Sequence, residues 1–290
     1  LYRRHRTFYS GLSTNSNLLG RRSLRNGPKT PSLVAVSNQS EVPLFVERIV
    51  PSCSLNFRPF STQDRRPDSP LDTEIKNLAV RGKPDEAHNL IRQVLHEKDS
   101  MLNLETFGVV LNIYAKSKRQ DAGEKAENVL DLMMDFHNKQ RLDREPNQIS
   151  FNTAISAWAN SGLPEPYQRA KKLLLGMKEM FDSGFSEMWP NTLTYTSVIK
   201  ACTKTGDALN AEKMLTEMIN DFNQGKKDCR PNTIIYSTVI NAHAQERDPK
   251  RAEGVLEQMY ADYLGGNADC KPTVWCFNTV IDAWAQFGRR

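Results

Sequence analysis

Amides and hydroxyls recur in this chain at fixed places. Four prolines are each followed by one, in Pro146-Asn147, Pro190-Asn191, Pro231-Asn232 and Pro272-Thr273, at intervals of 44, 41 and 41 residues. Asn offers both a donor and an acceptor and a Thr hydroxyl serves as either, so a row of such groups suits hydrogen bonding rather than bond-breaking chemistry. The same residues are good helix N-caps, a role worth about 1 kcal/mol each with no ligand at all. The residue types that do carry bond-breaking chemistry are not organised. There is no Gly-rich phosphate loop, H-E-x-x-H pair or nucleophile elbow. Asp131, Asp135, Glu212, Glu217, Glu253 and Glu257 read as solvated helix faces. Cys53, Cys202, Cys229, Cys270 and Cys276 form no C-x-x-C pair and have no His at zinc spacing. Cys229 and Cys270 sit at matching places in Asp228-Cys229-Arg230-Pro231 and Asp269-Cys270-Lys271-Pro272, and are echoes of a repeat rather than a metal site or a disulfide. The expectation is a protein that is not an enzyme and takes no cofactor, metal or small-molecule substrate.

The elements that position the polar row follow from periodicity. After each proline comes an aromatic, Phe151, Tyr195, Tyr236 or Phe277, and Phe107 heads an earlier copy without the proline. Four residues on lies Leu111, Ile155, Ile199, Ile240 or Ile281, and two further Ile113, Ala157, Ala201, Ala242 or Ala283. That spacing makes one apolar stripe of a helix, with a small residue where a neighbour approaches closely. A second helix carries Ala126, Ala170, Ala211 and Ala252, each followed seven residues later by Met133, Met177, Met218 or Met259. Phe181, Phe222 and Tyr263 come four residues after three of those methionines and His137 after the other, all on one face. Gly184, Gly225 and Gly265 are expected to close the second helix in a left-handed cap. Gly162, Gly206 and Gly288 mark the turn between the helices, with Arg247 in place of glycine once. Trp158, Trp284, Tyr114 and His243 share one offset and read as packing residues. Each methionine lies 13 residues before the next loop proline, an interval that successive helix pairs need if they stack in one register. Residues 72–103, with Gly82 and Ala87, read as a degenerate repeat capping the array.

Charge is distributed unevenly. Residues 1–40 contain Arg3, Arg4, Arg6, Arg21, Arg22, Arg25 and Lys29 and no acid, so against a formal net charge of +5 the remaining 250 residues are near −2. The body is thus nearly neutral, and bulk charge gives no argument for a polyanionic partner. The Arg- and Ser-rich start has the composition of an organellar transit peptide, and Arg58-Pro59-Phe60-Ser61 resembles a mitochondrial cleavage site. The expected organisation is a disordered mitochondrial (alternatively plastid) targeting peptide over 1–60, a linker over 61–71, the capping repeat over 72–103 and helical repeats over 104–290, the last truncated. No run approaches the roughly 20 apolar residues that span a bilayer, so no membrane association is expected.

The run Pro190-Asn191-Thr192-Leu193-Thr194-Tyr195-Thr196-Ser197-Val198-Ile199-Lys200-Ala201, continuing through Gly206 to Ala211, Leu215 and Met218, resembles the pentatricopeptide repeat. Phe151-Asn152-Thr153-Ala154-Ile155 and Phe277-Asn278-Thr279-Val280-Ile281 resemble it too, and the likeness covers residues 104–290, more weakly from 72. The tetratricopeptide pattern is absent. The resemblance implies an all-α fold, a right-handed α-solenoid of stacked antiparallel helix pairs, that binds single-stranded RNA along its concave face. The shortest spacing, 41, exceeds the family's unit, with the extra residues between the second-helix Met and the loop proline, which predicts a longer second helix.

The resemblance also implies which residues read bases. They are the residue after the first-helix aromatic and the residue after the next loop proline, here Gly108 with Asn147, Asn152 with Asn191, Thr196 with Asn232 and Ser237 with Thr273, and Asn278 without a partner in the chain. The family's code then implies a pyrimidine for Asn152/Asn191 and adenine for Thr196/Asn232. Ile149, Leu193, Ile234 and Trp275 stand where the family wedges an apolar side chain between bases, with Glu105 there in the first copy. Lys116, Asn160, Lys204, Gln245 and Gln286 lie eight residues beyond the base-reading place, where Lys204 would contact phosphate. The function implied is sequence-selective binding of organellar transcripts that affects RNA (including mRNA) processing, stability or translation. A protein-binding helical scaffold is the alternative suggested by the neutral body, and the N-terminal RNA-binding part of a larger RNA-processing enzyme is a further one.

Overall fold

The computed structural model describes residues 66–97, 100–161 and 166–288; the basic segment expected as a targeting peptide and the turn glycine Gly162 lie outside the described residues. Within them the chain is all-α and built from stacked antiparallel helix pairs. An opening pair, α1 (Pro70–Val80) and α2 (Pro84–Val94), precedes four full pairs. These are α3 (Leu104–Lys116) with α4 (Ala122–Asn138), α5 (Gln148–Asn160) with α6 (Pro166–Asp182), α7 (Thr192–Lys204) with α8 (Ala208–Asn223), and α9 (Thr233–Gln245) with α10 (Pro249–Leu264). A last first helix, α11 (Val274–Phe287), follows.

Helix α1 starts two residues inside the stretch expected as a linker. Ser69 caps it by accepting from the Asp72 amide while the Asp72 carboxylate accepts from the Ser69 amide, so Pro70 and Leu71 form the first turn. Asp72 also ties α1 to α3, accepting from the Asn103 amide at 2.9 Å and the Thr106 hydroxyl at 2.6 Å. Burial pushes its carboxyl up, but these hydrogen bonds outweigh burial and hold it below the usual carboxylate range.

Positive φ marks where the chain turns. Gly184, Gly225 and Gly266 adopt φ of 109°, 95° and 102°, so the third left-handed cap falls at Gly266, one residue beyond the Gly265 expected from the sequence. Gly265 is instead the C-cap of α10, with its backbone still in the right-handed region at φ −70°. In each cap the following amide reaches back five residues, as Lys226 does to the Asp221 carbonyl at 3.1 Å. Gly206 takes φ 70° between α7 and α8, and Arg247 takes φ 60° at the matching place between α9 and α10. Gly288 is a helix-ending residue at φ −75°.

The extra length of the repeat is shared between two elements. Helix α8 runs only five residues past Met218, and the remainder forms a single 3-10 turn over Lys227–Cys229, matched by Ala268–Cys270 after α10. Cys229 and Cys270 are free, fully buried thiols that close these turns by donating to the carbonyls of Lys226 and Asn267 at 2.9 and 3.1 Å. The expected longer second helix is therefore partly a turn, because the left-handed glycine ends the helix before the extra residues are used.

The first helices form one continuous layer: α3 packs on α5, α5 on α7, α7 on α9 and α9 on α11. Each second helix packs mainly on its own first helix and the next one, and the contact between second helices α2 and α4 is slight beside these. A layer whose members touch is shorter than one whose members splay, so the array curves with the first helices inside. Phe107, Phe151, Tyr195 and Tyr236 are wholly buried between the layers, while Phe277 on α11 is 45% exposed. The partner of each aromatic matches its chemistry. Phe107 meets Phe136 edge-on, with centroids 5.5 Å apart, whereas the Tyr195 and Tyr236 hydroxyls donate to Asp221 and Asp262.

The four residues sharing one offset bind each first helix to the second helix before it. Tyr114 donates to Asp85 at 2.9 Å, Trp158 to Glu127 at 2.9 Å and Trp284 to Glu253 at 3.1 Å, and His243 brings Nε2 within 2.9 Å of Glu212. Glu212 and Glu253 are thus contacts between repeats and not merely solvated faces. Cys202 occupies the corresponding place on α7, where α6 offers Lys171 instead of an acid.

Candidate functional site

Every polar or apolar residue singled out from the repeat falls at one of four places on a first helix. The N-cap position holds Asn147, Asn191, Asn232 and Thr273, the second residue Glu105, Ile149, Leu193, Ile234 and Trp275, and the fifth residue Gly108, Asn152, Thr196, Ser237 and Asn278. Positions two and five lie three residues apart and so share a face at the helix start. Lys204 is at the other end, as residue thirteen of α7.

The apolar second-position side chains lie at the surface. Ile149, Leu193, Ile234 and Trp275 are between 50% and 70% exposed. Glu105 differs, since Arg144 at 3.5 Å and Lys76 at 3.9 Å neutralise it. Gly108 beside it faces open space.

The caps do cap. Asn147, Asn191 and Asn232 accept from the amides of Ser150, Thr194 and Ile235 at 3.1, 3.0 and 3.1 Å. Capping spends one acceptor and leaves the amide nitrogen to other partners, so it does not exclude a second role. Thr273 makes no cap bond; its hydroxyl lies 3.3 Å from the Cys276 thiol.

Between α5 and α7 the polar groups are spent on each other. The Asn191 Nδ2 donates to Gln148 Oε1 at 2.7 Å, Thr194 Oγ1 donates to Asn152 Oδ1 at 2.5 Å, and Asn152 Nδ2 donates to Asn191 Oδ1 at 3.3 Å. Ser156 and Ser197 share a hydrogen bond at 3.1 Å, and Lys200 and Lys204 converge on Asn160 Oδ1 at 3.3 and 3.5 Å. Asn152, expected to face a base, is only 4% exposed. The reason is local: Thr194 presents a hydroxyl where Asn152 can bond to it, and burial of a satisfied amide costs little.

Between α7 and α9 the same positions stay apart. Asn191, Leu193, Thr196, Asn232 and Ile234 line a groove of about 730 Å³, with Gln148 and Asp228 at its edges. Thr196 Oγ1 donates to its own Thr192 carbonyl at 2.6 Å, which uses its proton and leaves its acceptor capacity unspent. The Asn232 amide nitrogen makes no hydrogen bond among the described residues. Thr192 and Thr233 brace the groove from below, their hydroxyls donating to the carbonyls of Arg230 and Lys271 at 2.9 and 3.1 Å. A smaller hollow of about 420 Å³ continues past Ile234 to the Arg230–Asp269 ion pair. Further along, the Ser237 hydroxyl donates to the Ile234 carbonyl at 3.0 Å, and Asn278 is exposed on α11.

Lys204 is exposed at the far end of α7, and burial and the neighbouring Lys200 charge lower its proton affinity. Gln148, Thr194 and Lys200 are contact residues that the sequence reading passed over. The signal was present: Gln148, Asn152, Ser156 and Asn160 recur at every fourth residue of α5, a polar stripe that a helix turns to one side. Among the described residues no group of three or more His, Cys, Asp or Glu side chains gathers as a metal site, and no helix is long and apolar enough to cross a membrane.

A layer of first helices that repeats one polar and one apolar place along its length defines a helical-repeat protein. Residues 177–242 and 223–286 match the family model of the pentatricopeptide repeat domain. No curated protein sequence matches the chain. Among solved structures it is similar to the pentatricopeptide repeat protein PPR10 from maize, at 20% identity and a TM-score of 0.46 over 75% of this chain and 27% of that one. It is likewise similar to PPR10 in complex with an 18-nt psaJ RNA element, at 18% identity and a TM-score of 0.46 over 74% and 27%. The chain thus spans about a quarter of the length of the solved proteins it matches.

Proposed function

We propose that this chain binds single-stranded RNA along the face formed by its first helices, and that the groove between α7 and α9 is where it selects a base. The observation that carries this reading is the groove itself, which gathers Thr196 and Asn232 as hydrogen-bonding groups between the exposed Leu193 and Ile234. Two apolar walls about a base and two polar groups at its edge are the chemistry by which unstacked bases are held. The match to the pentatricopeptide repeat domain over the same residues supports it. Lys200 and Lys204, exposed on α7 beyond the groove, are placed to meet the phosphates that follow a bound base. Trp275 and Asn278 extend the same surface onto α11.

The basic, acid-free N-terminal segment supports a mitochondrial setting, so the ligands would be organellar transcripts and the outcome a change in their processing, stability or translation. No chemical step is assigned to the chain. A fluorescence-anisotropy titration with random-sequence single-stranded RNA tests the reading. Binding at low salt that weakens steadily as salt rises is expected, because bound phosphates release counterions. Absence of binding at low salt overturns it in favour of a protein-binding scaffold.

A further inference from the structure

We propose that Thr194 masks Asn152, so that the α5 repeat holds its neighbour without reading a base while the α7 repeat reads one. The inference rests on the RNA-binding reading above and concerns which repeats are selective. The fifth position of each first helix and the third position of the next hold Gly108 and Ser150, Asn152 and Thr194, Thr196 and Ile235, and Ser237 and Cys276. Among these only Asn152 and Thr194 are hydrogen-bonded to each other, at 2.5 Å. The second half of the Asn152 amide is spent on Asn191, and the side chain is almost wholly buried. Ile235 is buried and has no polar group, so Thr196 turns back to its own helix and borders the groove. Selectivity at a repeat is therefore set by a residue that never touches the base, because a hydroxyl at the third position consumes the reading group of the repeat before it.

Selection of full-length protein on random single-stranded RNA, followed by sequencing, tests this. Asn152→Ser should return the same sequences as the unaltered chain. Thr194→Val, which keeps shape and removes the hydroxyl, should add a base preference of about fivefold at one further nucleotide, the worth of one released hydrogen bond. Adding Asn152→Ala to Thr194→Val should abolish that new preference, and Thr194→Ser, which restores the hydroxyl, should behave as the unaltered chain. The mask is overturned if Asn152→Ser alone changes the selected base, or if Thr194→Val still binds RNA and gains no preference. Recovery of no RNA by the unaltered chain removes the RNA-binding reading and the mask with it, whereas binding with Asn152 sensitivity removes the mask alone.

Discussion

Helix α7 meets α5 on one side and α9 on the other, and the two contacts use equivalent places with different chemistry. Toward α5 the amides and hydroxyls of Gln148, Asn152, Asn191, Thr194 and Ser197 close on each other. Toward α9 the third-position residue is Ile235, no such ladder forms, and a groove opens between Leu193 and Ile234. The second helices repeat the contrast. Lys178 on α6 reaches Glu217 at 2.6 Å and Asp221 at 2.9 Å on α8, while the matching place on α8 is the apolar Ile219. On the proposed function, one repeat is spent on cohesion and the next on ligand, and the side chains at these matching places decide between them.

Acid should have the largest effect, and it acts through the opening pair outside both of these junctions. His88 on α2 is buried with no partner for Nε2, and burial, then the charges of Arg92 and Lys125, lower its pKa to about 4. The unfolded chain takes up that proton near pH 6.5, so the stability from neutral His88 is complete above 6.5 and is lost as pH falls toward 4. A loss of about 3 kcal/mol over that window is expected from urea unfolding, and His88→Leu should flatten it. An equal slope in both proteins would place the acid sensitivity elsewhere.

Removing the ionic tie of the closed junction comes next. Burial opposes the charge on Lys178, but hydrogen bonds from it to Glu217 and Asp221 win and raise its pKa. Lys178→Met leaves both acids part-buried and should cost about 2 kcal/mol by denaturant titration, well above what the same assay finds for the exposed Lys204→Met. Trp275→Ala should do the reverse, weakening RNA binding by about 1 to 2 kcal/mol while leaving the unfolding midpoint where it was, since half of the indole is exposed. The smallest effect is a gain. Gln140 and Arg247 hold φ of 56° and 60°, where a side chain strains the backbone, so Gln140→Gly and Arg247→Gly should each add about 1 kcal/mol. Similar gains in both would show that backbone strain does not distinguish the closed half from the open one.

The architecture was legible because it rests on periodicity. Aromatic, aliphatic and small residues at helical spacing, with a fixed Met-to-proline interval, gave the helix pairs and the buried Phe151, Tyr195 and Tyr236. Ile149, Leu193, Ile234 and Trp275, singled out through the family resemblance and not through periodicity, are exposed. What did not follow was pairing between helices more than thirty residues apart. Nothing local to Asn152 says that Thr194 will consume its amide, nor that Glu212 will stand against the buried His243. The left-handed cap at Gly266 rather than Gly265 was equally hidden, because either glycine tolerates the turn and the length of α10 decides.

Hydrogen–deuterium exchange with and without single-stranded RNA tests the central claim most directly, because the first amides of a helix lack intrahelical partners and exchange fast. RNA should slow exchange over Thr192–Thr196 and Asn232–Ser237, the walls of the open groove, and leave Gln148–Asn152 as it was. Protection confined to the second helices, or equal at α5, α7 and α9, would contradict the account.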